Sequence, residues 1–338
     1  MKRKQTVFTL MLLLFLLLQG AFAVSCTSAE EKQMQTAIGT CAGYEVLYEE
    51  LRFVTLTCKD QMKATYGDDI WDDAESTEKY LPELEEKVWK IMRSNYAALT
   101  ACAAYQLTAD KMQDKSIVEA VDRRVETAKS QFDSEKEYRR YLTDSYLTEH
   151  LLRFLLSAEM MKNELLYVLT EDLGQIEKDE EKFYDWLKEG NYVPVQHIYI
   201  RNDSGDDPEK NRALAEEVRD CLRDGSKTLK DYINSSVNED IYNVAPYYIV
   251  RGAYVQEVED VVFDLQKEGD VSEVAEVEGG YYVFVRTEDK PEKLLSNLPT
   301  LLEDYQWAMV SNLVKEYENR VVIDLNEYGK SIRLTDIR

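Results

Sequence analysis

The apolar positions of this chain follow two rhythms. Over most of its length they recur every three or four residues, the spacing of one helix face. Leu51, Val54, Cys58 and Met62 form such a stripe, as do Leu84, Val88, Ile91, Met92, Leu99 and Cys102. The first stripe predicts a helix from about Leu47, stopped by Gly67. The second predicts a long helix over 81–106, with Pro82 in the first turn, where a missing N–H costs nothing. Further helices are expected at 110–130, 134–142, 148–169 and 177–189, with Leu151, Leu155, Met160 and Leu166 as core residues.

Two regions break into alternation. Residues 36–46 read as short strands about the turn Ala42-Gly43. After Gly190 the helical spacing ends again: Val193, Val195, His197 and Tyr199 would share one face of a half-buried strand, with Pro194, Gln196, Ile198 and Ile200 on the other. Asp207-Pro208 then reads as the start of a helix bearing Leu214, Val218, Cys221 and Leu222, closed by Gly225. A short helix at 228–234 and a strand at 247–250 follow. Val258, Val261, Val262 and Leu265 mark another helix, ended by Gly269, and strands 271–277 and 281–286 flank Glu278-Gly279-Gly280 as a hairpin.

The order β-α-α-β-α-β-β is that of a compact α+β domain. A long helix over 294–318 carries Leu298, Leu301, Tyr305, Met309 and Leu313, and 321–325 and 331–334 read as strands. These are too few to form a domain. They are expected to rejoin the N-terminal part, their strands pairing with Thr36–Thr40. The expected fold class is therefore α+β: a helical domain (26–192, completed by 291–338) with an α+β unit (193–290) inserted.

The N-terminus bears on location. Met1-Lys2-Arg3-Lys4 precedes an unbroken apolar run, Val7–Leu18, short for a membrane span and suited to a signal peptide over 1–25. Ala21-Phe22-Ala23 is a signal-peptidase pattern, while Ala23-Val24-Ser25-Cys26 resembles a bacterial lipobox. Either Cys26 is lipidated and anchors the protein to a membrane, or the protein is secreted or periplasmic, or its leader stays as an anchor, with Cys26 a plain thiol. The rest is expected outside the cytoplasm.

Net charge is −24, which argues against nucleic acid and against flat docking on anionic lipid. Basic or partly unfolded polypeptides suit such a surface. Cys41, Cys58, Cys102 and Cys221 lack metal-binding spacing, and with two histidines in the chain a zinc site is not expected. No cofactor is implied. The compartment permits disulfides, but buried free thiols are the simpler expectation.

Several motifs occur in order: Gln196-His197-Ile198, Arg251-Gly252, Glu259-Asp260, Phe263-Asp264-Leu265, Gly269-Asp270-Val271-Ser272 and Gly280-Tyr281. Together, over roughly 193–287, they resemble a parvulin-type peptidyl-prolyl cis-trans isomerase domain. The leader and the split helical part are similar to the PrsA and SurA foldases of bacterial envelopes. The resemblance implies an inserted parvulin domain, unfolded or partly folded exported polypeptides as partners, and no cofactor. It places His197 at the first family histidine and Asp240 at the Asp/Cys position. Tyr254 stands for a frequent Met and Val258 for a pocket Phe, while Phe263 matches the second aromatic of that helix. Tyr282 stands where the second histidine is expected.

A prolyl bond has a rotation barrier of about 18–20 kcal/mol. Catalysis needs no covalent step, only a site that favours the twisted amide over the planar one. The resemblance implies catalytic roles for His197, Asp240 and Tyr282 and a substrate-binding surface at Tyr254, Val258 and Phe263. His197 also reads as a structural histidine bonded to Asp240 or a tyrosine, Asp240 as a loop acid, and Phe263 as helix–sheet packing. The tyrosines at 242, 247, 248, 254, 281 and 282 read as a peptide-contact surface or as ordinary strand residues. His150, on a predicted helix, reads as a solvated residue. Three functions stay open: an isomerase-foldase, a non-catalytic chaperone with an eroded site, and a substrate-binding lipoprotein. The third would need a two-lobed β-α-β pattern that the sequence lacks. A homo-oligomer is left open.

Overall fold

In a computed structural model, the chain is described over residues 32–202, 207–240, 245–277 and 279–338. The leader, its cleavage signals, Cys26 and Tyr242 lie outside the described residues. In chain order the elements are β1 (Ala37–Cys41), β2 (Tyr44–Leu47), α1 (Tyr48–Tyr66), α2 (Ala74–Ala104), α3 (Lys115–Lys129), α4 (Glu135–Asp144), α5 (Glu149–Tyr167) and α6 (Glu180–Lys188). They continue with β3 (Tyr192–Arg201), α7 (Pro208–Asp224), α8 (Leu229–Ile233), β4 (Tyr247–Val250), α9 (Gln256–Val262), β5 (Ala275–Val277), β6 (Gly280–Arg286), α10 (Pro291–Glu318), β7 (Asp324–Leu325) and α11 (Glu327–Ser331). The chain is mixed helix and sheet, with two antiparallel sheets. Two units are present: one formed by both chain ends, up to Leu165 and from Val314 onward, the other by Leu166–Leu313.

In the first unit, β1 and β2 form a hairpin whose turn residues Ala42 and Gly43 both have positive φ (51° and 85°), as a two-residue hairpin turn demands. β7 pairs with the other edge of β1. The α1 stripe Leu51, Val54, Cys58 and Met62 is buried, as are Leu84, Val88, Met92, Leu99 and Cys102 of α2. Each such fully buried large side chain contributes about 1.5–3 kcal/mol. Cys41, Cys58 and Cys102 are buried free thiols; Cys221, in the other unit, is a half-buried one.

Several element boundaries differ from expectation: the strands expected over 271–277 and 321–325 shorten to 275–277 and 324–325, the helix expected over 110–130 begins at Lys115, and three further differences have a clear cause. Helix α2 starts at Ala74, because the Asp73 carboxylate accepts from the N–H groups of Glu75 and Ser76. Pro82 is therefore inside the helix, where its missing N–H removes one helical bond. Residues 331–334 form no strand. Asn326 caps α11 by accepting from Gly329 N–H, and the Lys59 ammonium donates to the carbonyls of Thr335 and Ile337, fixing the tail. Helix α9 ends at Val262 rather than near Gly269, since the Asp270 carboxylate accepts from the N–H groups of Gln266 and Lys267 and turns the chain.

His150 departs from a plain solvated residue as well. Its side chain is half exposed, but Nδ1 bonds the carboxylate of Glu49, a residue only 2 % exposed. Glu49 also accepts from the Thr148 hydroxyl, and Thr148 caps the following turn through Leu151 N–H. Beside it, Glu50 accepts from Leu47 N–H and the Tyr96 hydroxyl, both at 2.8 Å.

The second unit is built on a four-stranded antiparallel sheet in the order β4-β3-β6-β5. Strand β3 is at its centre. Its Ile198 and Ile200 pack with Tyr281 and Val283 under Ala215 and Val218 of α7. Its Val193 and Val195 face the opposite way, with Ile249, Phe284 and the α9 residues Val258 and Val262. The two faces are those read from the alternation. A third cluster joins Phe183 and Leu187 to Tyr248, Val250 and the α10 residues Leu294, Leu298 and Leu301.

Candidate functional site

Strand register gathers the aromatic groups. In the β3–β6 pair His197 stands opposite Phe284, and Tyr199 opposite Tyr282. Opposed residues in a sheet share a face. These four rings therefore form one patch: Tyr199 stacks on Tyr282 at 4.4 Å between centroids, Tyr282 on Phe284 at 5.6 Å. The His197 ring meets Tyr282 and Phe284 edge-on at 5.1 Å and 5.8 Å.

His197 is buried, its side chain 8 % exposed, and both ring nitrogens are engaged. Nε2 lies 2.9 Å from Asp240 Oδ2 and Nδ1 lies 2.7 Å from the Tyr247 hydroxyl. An ionised carboxylate can only accept, so Nε2 carries the proton. Nδ1 of the neutral ring then accepts from the Tyr247 O–H. Burial pulls the His197 pKa below its ordinary value, with Asp240 working against that shift without reversing it. Burial also raises the Tyr247 hydroxyl well above the ordinary phenol range and pushes Tyr282 up to about 12. The hydroxyls stay protonated as donors.

Asp240 is delivered to the histidine by the backbone ahead of it. Strand β4 pairs with β3 only from Tyr192 to Val195, which leaves the far half of that edge open. Residues 238–240 dock there. Asn238, 5 % exposed, accepts from Tyr199 N–H and donates to the carbonyls of Ile233 and Asp240, while Glu239 N–H donates to Tyr199 O. Arg201 pairs with Glu239 at 3.2 Å on the outside.

The Arg-Gly and Glu-Asp motifs explain each other. Gly252 has φ +82°, so the backbone calls for glycine, while the one atom a Cβ would crowd, Met309 Cε, is the movable end of a flexible side chain. Buried Glu259 accepts from the N–H groups of Gly252 (2.6 Å) and Tyr254 (3.1 Å), locking the turn that presents Tyr254. Asn312 holds the Gly252 carbonyl at 2.9 Å. Ser272, of the Gly-Asp-Val-Ser motif, takes the place of a strand pair: its N–H donates to Phe284 O, and its hydroxyl accepts from Phe284 N–H. Phe284, beside His197, is thus held at both backbone groups.

The residues singled out in the sequence fall into three layers. His197 is beneath the surface. Asp240 (side chain 30 % exposed) and half-buried Tyr282 lie around it, and Tyr254 stands 41 % exposed on the locked turn. Val258 is 4 % exposed and belongs to the α9–sheet core, which separates it from any surface. Phe263 is half-buried, and the Arg251 guanidinium covers its ring at 3.8 Å. Tyr282 approaches the histidine by its ring, while the hydroxyl on Nδ1 comes from Tyr247. From the sequence Tyr247 reads as a contact-surface tyrosine or an ordinary strand residue; its pairing with Val195, two residues from His197, is the register that places it. Asn238 had no signal beyond its place two residues before Asp240. Chemically, the cluster can hold a neutral imidazole and two protonated phenols fixed beside a partly open aromatic surface. Among the described residues no group of three or more metal-ligating side chains is gathered.

No protein-family model matches the chain, and no curated protein matches it. Solved structures similar to it include the peptidylprolyl isomerase PrsA of Bacillus anthracis, at 15 % identity over 68 % of this chain and 94 % of that one, TM-score 0.35. Another is the foldase PrsA of Streptococcus pneumoniae, at 16 % identity over 72 % and 87 %, TM-score 0.33. A third belongs to the SurA-like chaperones PEB4 and Cj1289 of Campylobacter jejuni, at 12 % identity over 86 % and 100 %, TM-score 0.19.

Proposed function

We propose that this chain is an extracytoplasmic protein-folding factor of the parvulin peptidyl-prolyl isomerase family, acting on unfolded or partly folded exported polypeptides. The observation that carries this reading is the His197 imidazole held between Asp240 and Tyr247 beside Tyr282, in a unit whose motifs follow the parvulin order. The parvulin-like module spans 193–290, with a leader over 1–25 and a lipid anchor at Cys26.

The mechanism is electrostatic and steric. A prolyl ring lies against the aromatic surface near Tyr254, with the amide over Tyr282 and Asp240. Hydroxyl donors favour the twisted amide, whose carbonyl and nitrogen have lost resonance, over the planar ground state. His197, being buried, acts as a positioning residue that fixes Asp240 and Tyr247. Val258 supports this surface from the core.

A second reading is favoured by one observation: with Tyr282 in place of a second histidine and Arg251 over Phe263, the apolar cup is reduced. The same surface would then bind peptides without turnover, as a chaperone. A proline-switch peptide assay separates the two. Acceleration by the full chain, lost in His197→Ala, supports the isomerase. No acceleration together with suppressed aggregation of an unfolded substrate rejects it in favour of the chaperone.

A further inference from the structure

The end of α1, the short loop after it and the start of α2, in the first unit, bring three aromatic rings together. Tyr66, 43 % exposed, stacks on Tyr80 at 4.8 Å, and Trp71 meets Tyr80 edge-on at 6.5 Å. The Tyr66 hydroxyl donates to Glu83, and the Trp71 indole N–H donates to Lys59 O, so two of the rings are pinned from behind. Their faces accept cations within the chain itself. Lys79 Nζ stands 4.6 Å from the Tyr80 centroid, and Lys59 Nζ 5.9 Å from that of Trp71.

The loop and the first turns of α2 are strongly acidic. Residues 67–78 hold six carboxylates and no base. Asp73 caps α2. Asp68, Asp69, Asp72, Glu75 and Glu78 are all exposed, and none forms an ion pair among the described residues. Elsewhere on α3, α4 and α5 acids commonly face Lys or Arg, as Glu135 faces Arg139 and Glu159 faces Arg124. Tyr66 is exposed and Trp71 and Tyr80 are half-buried, and such partly open rings with uncompensated carboxylates beside them attract one chemistry: a cation carried on an apolar stem.

We propose that the α1–α2 loop is a docking surface for cationic, extended polypeptide, binding Lys or Arg side chains across the Tyr66–Trp71–Tyr80 group. The partner's non-native state rests on the folding-factor reading; the preference for basic chain rests on the loop alone.

The test is fluorescence anisotropy of a labelled, proline-free peptide alternating Lys or Arg with Ser, titrated with the full chain, beside a counterpart bearing Glu at the basic positions. The cationic peptide is expected to bind and to weaken as salt is raised, while the acidic one does not bind. Tyr66→Ser, and the triple change Asp68→Asn, Asp69→Asn, Asp72→Asn, each weaken binding about tenfold. The triple change Glu209→Gln, Glu268→Gln, Glu292→Gln, at exposed sites of the other unit, leaves it unchanged. Equal weakening by the two triple changes would show attraction by net charge and overturn the proposal, as would unchanged binding in the loop variants. Circular dichroism checks that each variant is folded. Because the peptide lacks proline, absent isomerase activity leaves this result untouched.

Discussion

The Nδ1 atom of His197 and the hydroxyl of Tyr247 lie 2.7 Å apart, a bond that only the neutral imidazole can accept. With burial it favours the uncharged ring, while Asp240 favours the charged one. Removing either partner should therefore shift the titration in opposite senses. Tyr247→Phe is expected to raise the His197 midpoint and Asp240→Asn to lower it, each by about one pH unit. Proton NMR is well suited because the chain has two histidines. In the unmutated chain one set of ring signals should titrate below the ordinary value of 6.5 and the other, from His150, above it. Coincident titrations would contradict the arrangement.

Asn238 is expected to matter more than its place in a loop suggests. It is buried and satisfies backbone groups of Tyr199, Ile233 and Asp240 at once. Asn238→Ala removes those bonds, at a cost of about 1–3 kcal/mol. It should also free Asp240, so the His197 midpoint falls as it does in Asp240→Asn. Urea unfolding gives the first quantity and NMR the second. Lost stability with an unmoved midpoint would separate Asn238 from the histidine.

Glu259 offers a test of the turn that carries Tyr254. Its carboxylate is the acceptor for two N–H groups, and hydrogen bonds to a charged acceptor are worth about 1.5–3 kcal/mol each. Glu259→Ala is expected to destabilise the second unit by about 3–6 kcal/mol, read as a lower urea midpoint. Asp260→Ala, the exposed neighbour in the same motif, should change it by less than about 0.5 kcal/mol.

Much of this was legible in the sequence because the relevant signals are local. The two faces of β3 follow from strict alternation, and the end of α7 from Gly225, which has φ +75°. His197 and Asp240 were both legible as candidates, and they meet at 2.9 Å. Tyr247 as the histidine's second partner was not, since that contact depends on strand register across 50 residues. The resemblance places Val258 on a substrate surface by its position in the motif, yet its side chain lies on the inner side of α9, in the core. Capping decided the helix boundaries: Asp73 and Asn326 each capture backbone N–H groups, and neither capture shows in apolar periodicity.

The two units should answer pH in opposite senses. In the second, the folded state holds His197 below its ordinary pKa, so its contribution is present above about 6.5 and is lost as pH falls through the folded value. In the first, burial raises Glu50 from 4.5 to about 7, against the bonds from Leu47 N–H and Tyr96, with Glu49 adding to the rise and His150 opposing it. The bond to Glu49 raises His150. Both groups hold protons more tightly when folded. Their stabilising contribution is complete below their ordinary values and is lost as pH rises, for Glu50 between 4.5 and about 7 and for His150 above 6.5. Hydrogen exchange read by mass spectrometry, corrected for the intrinsic rate, resolves the two units. Protection in the first should fall between pH 5 and pH 8, while protection of the strands around His197 falls on the acid side.

Glu50→Gln isolates the largest part of that response. Glutamine keeps one oxygen to accept from Leu47 N–H, while its NH2 group, at the place of Oε2, donates to the Tyr96 hydroxyl, whose O–H turns to the Glu45 carbonyl; it cannot ionise. Burial of its neutral amide carries no charge penalty at any pH. The first unit of this variant should match the unmutated chain near pH 5. At pH 8 it should exceed it by up to about 3 kcal/mol, since each unit of pKa shift corresponds to about 1.4 kcal/mol. A variant equally unstable at both pH values would mean that the amide disturbs the pocket. A variant that declines with pH as the unmutated chain does would shift the effect to His150 and Glu49.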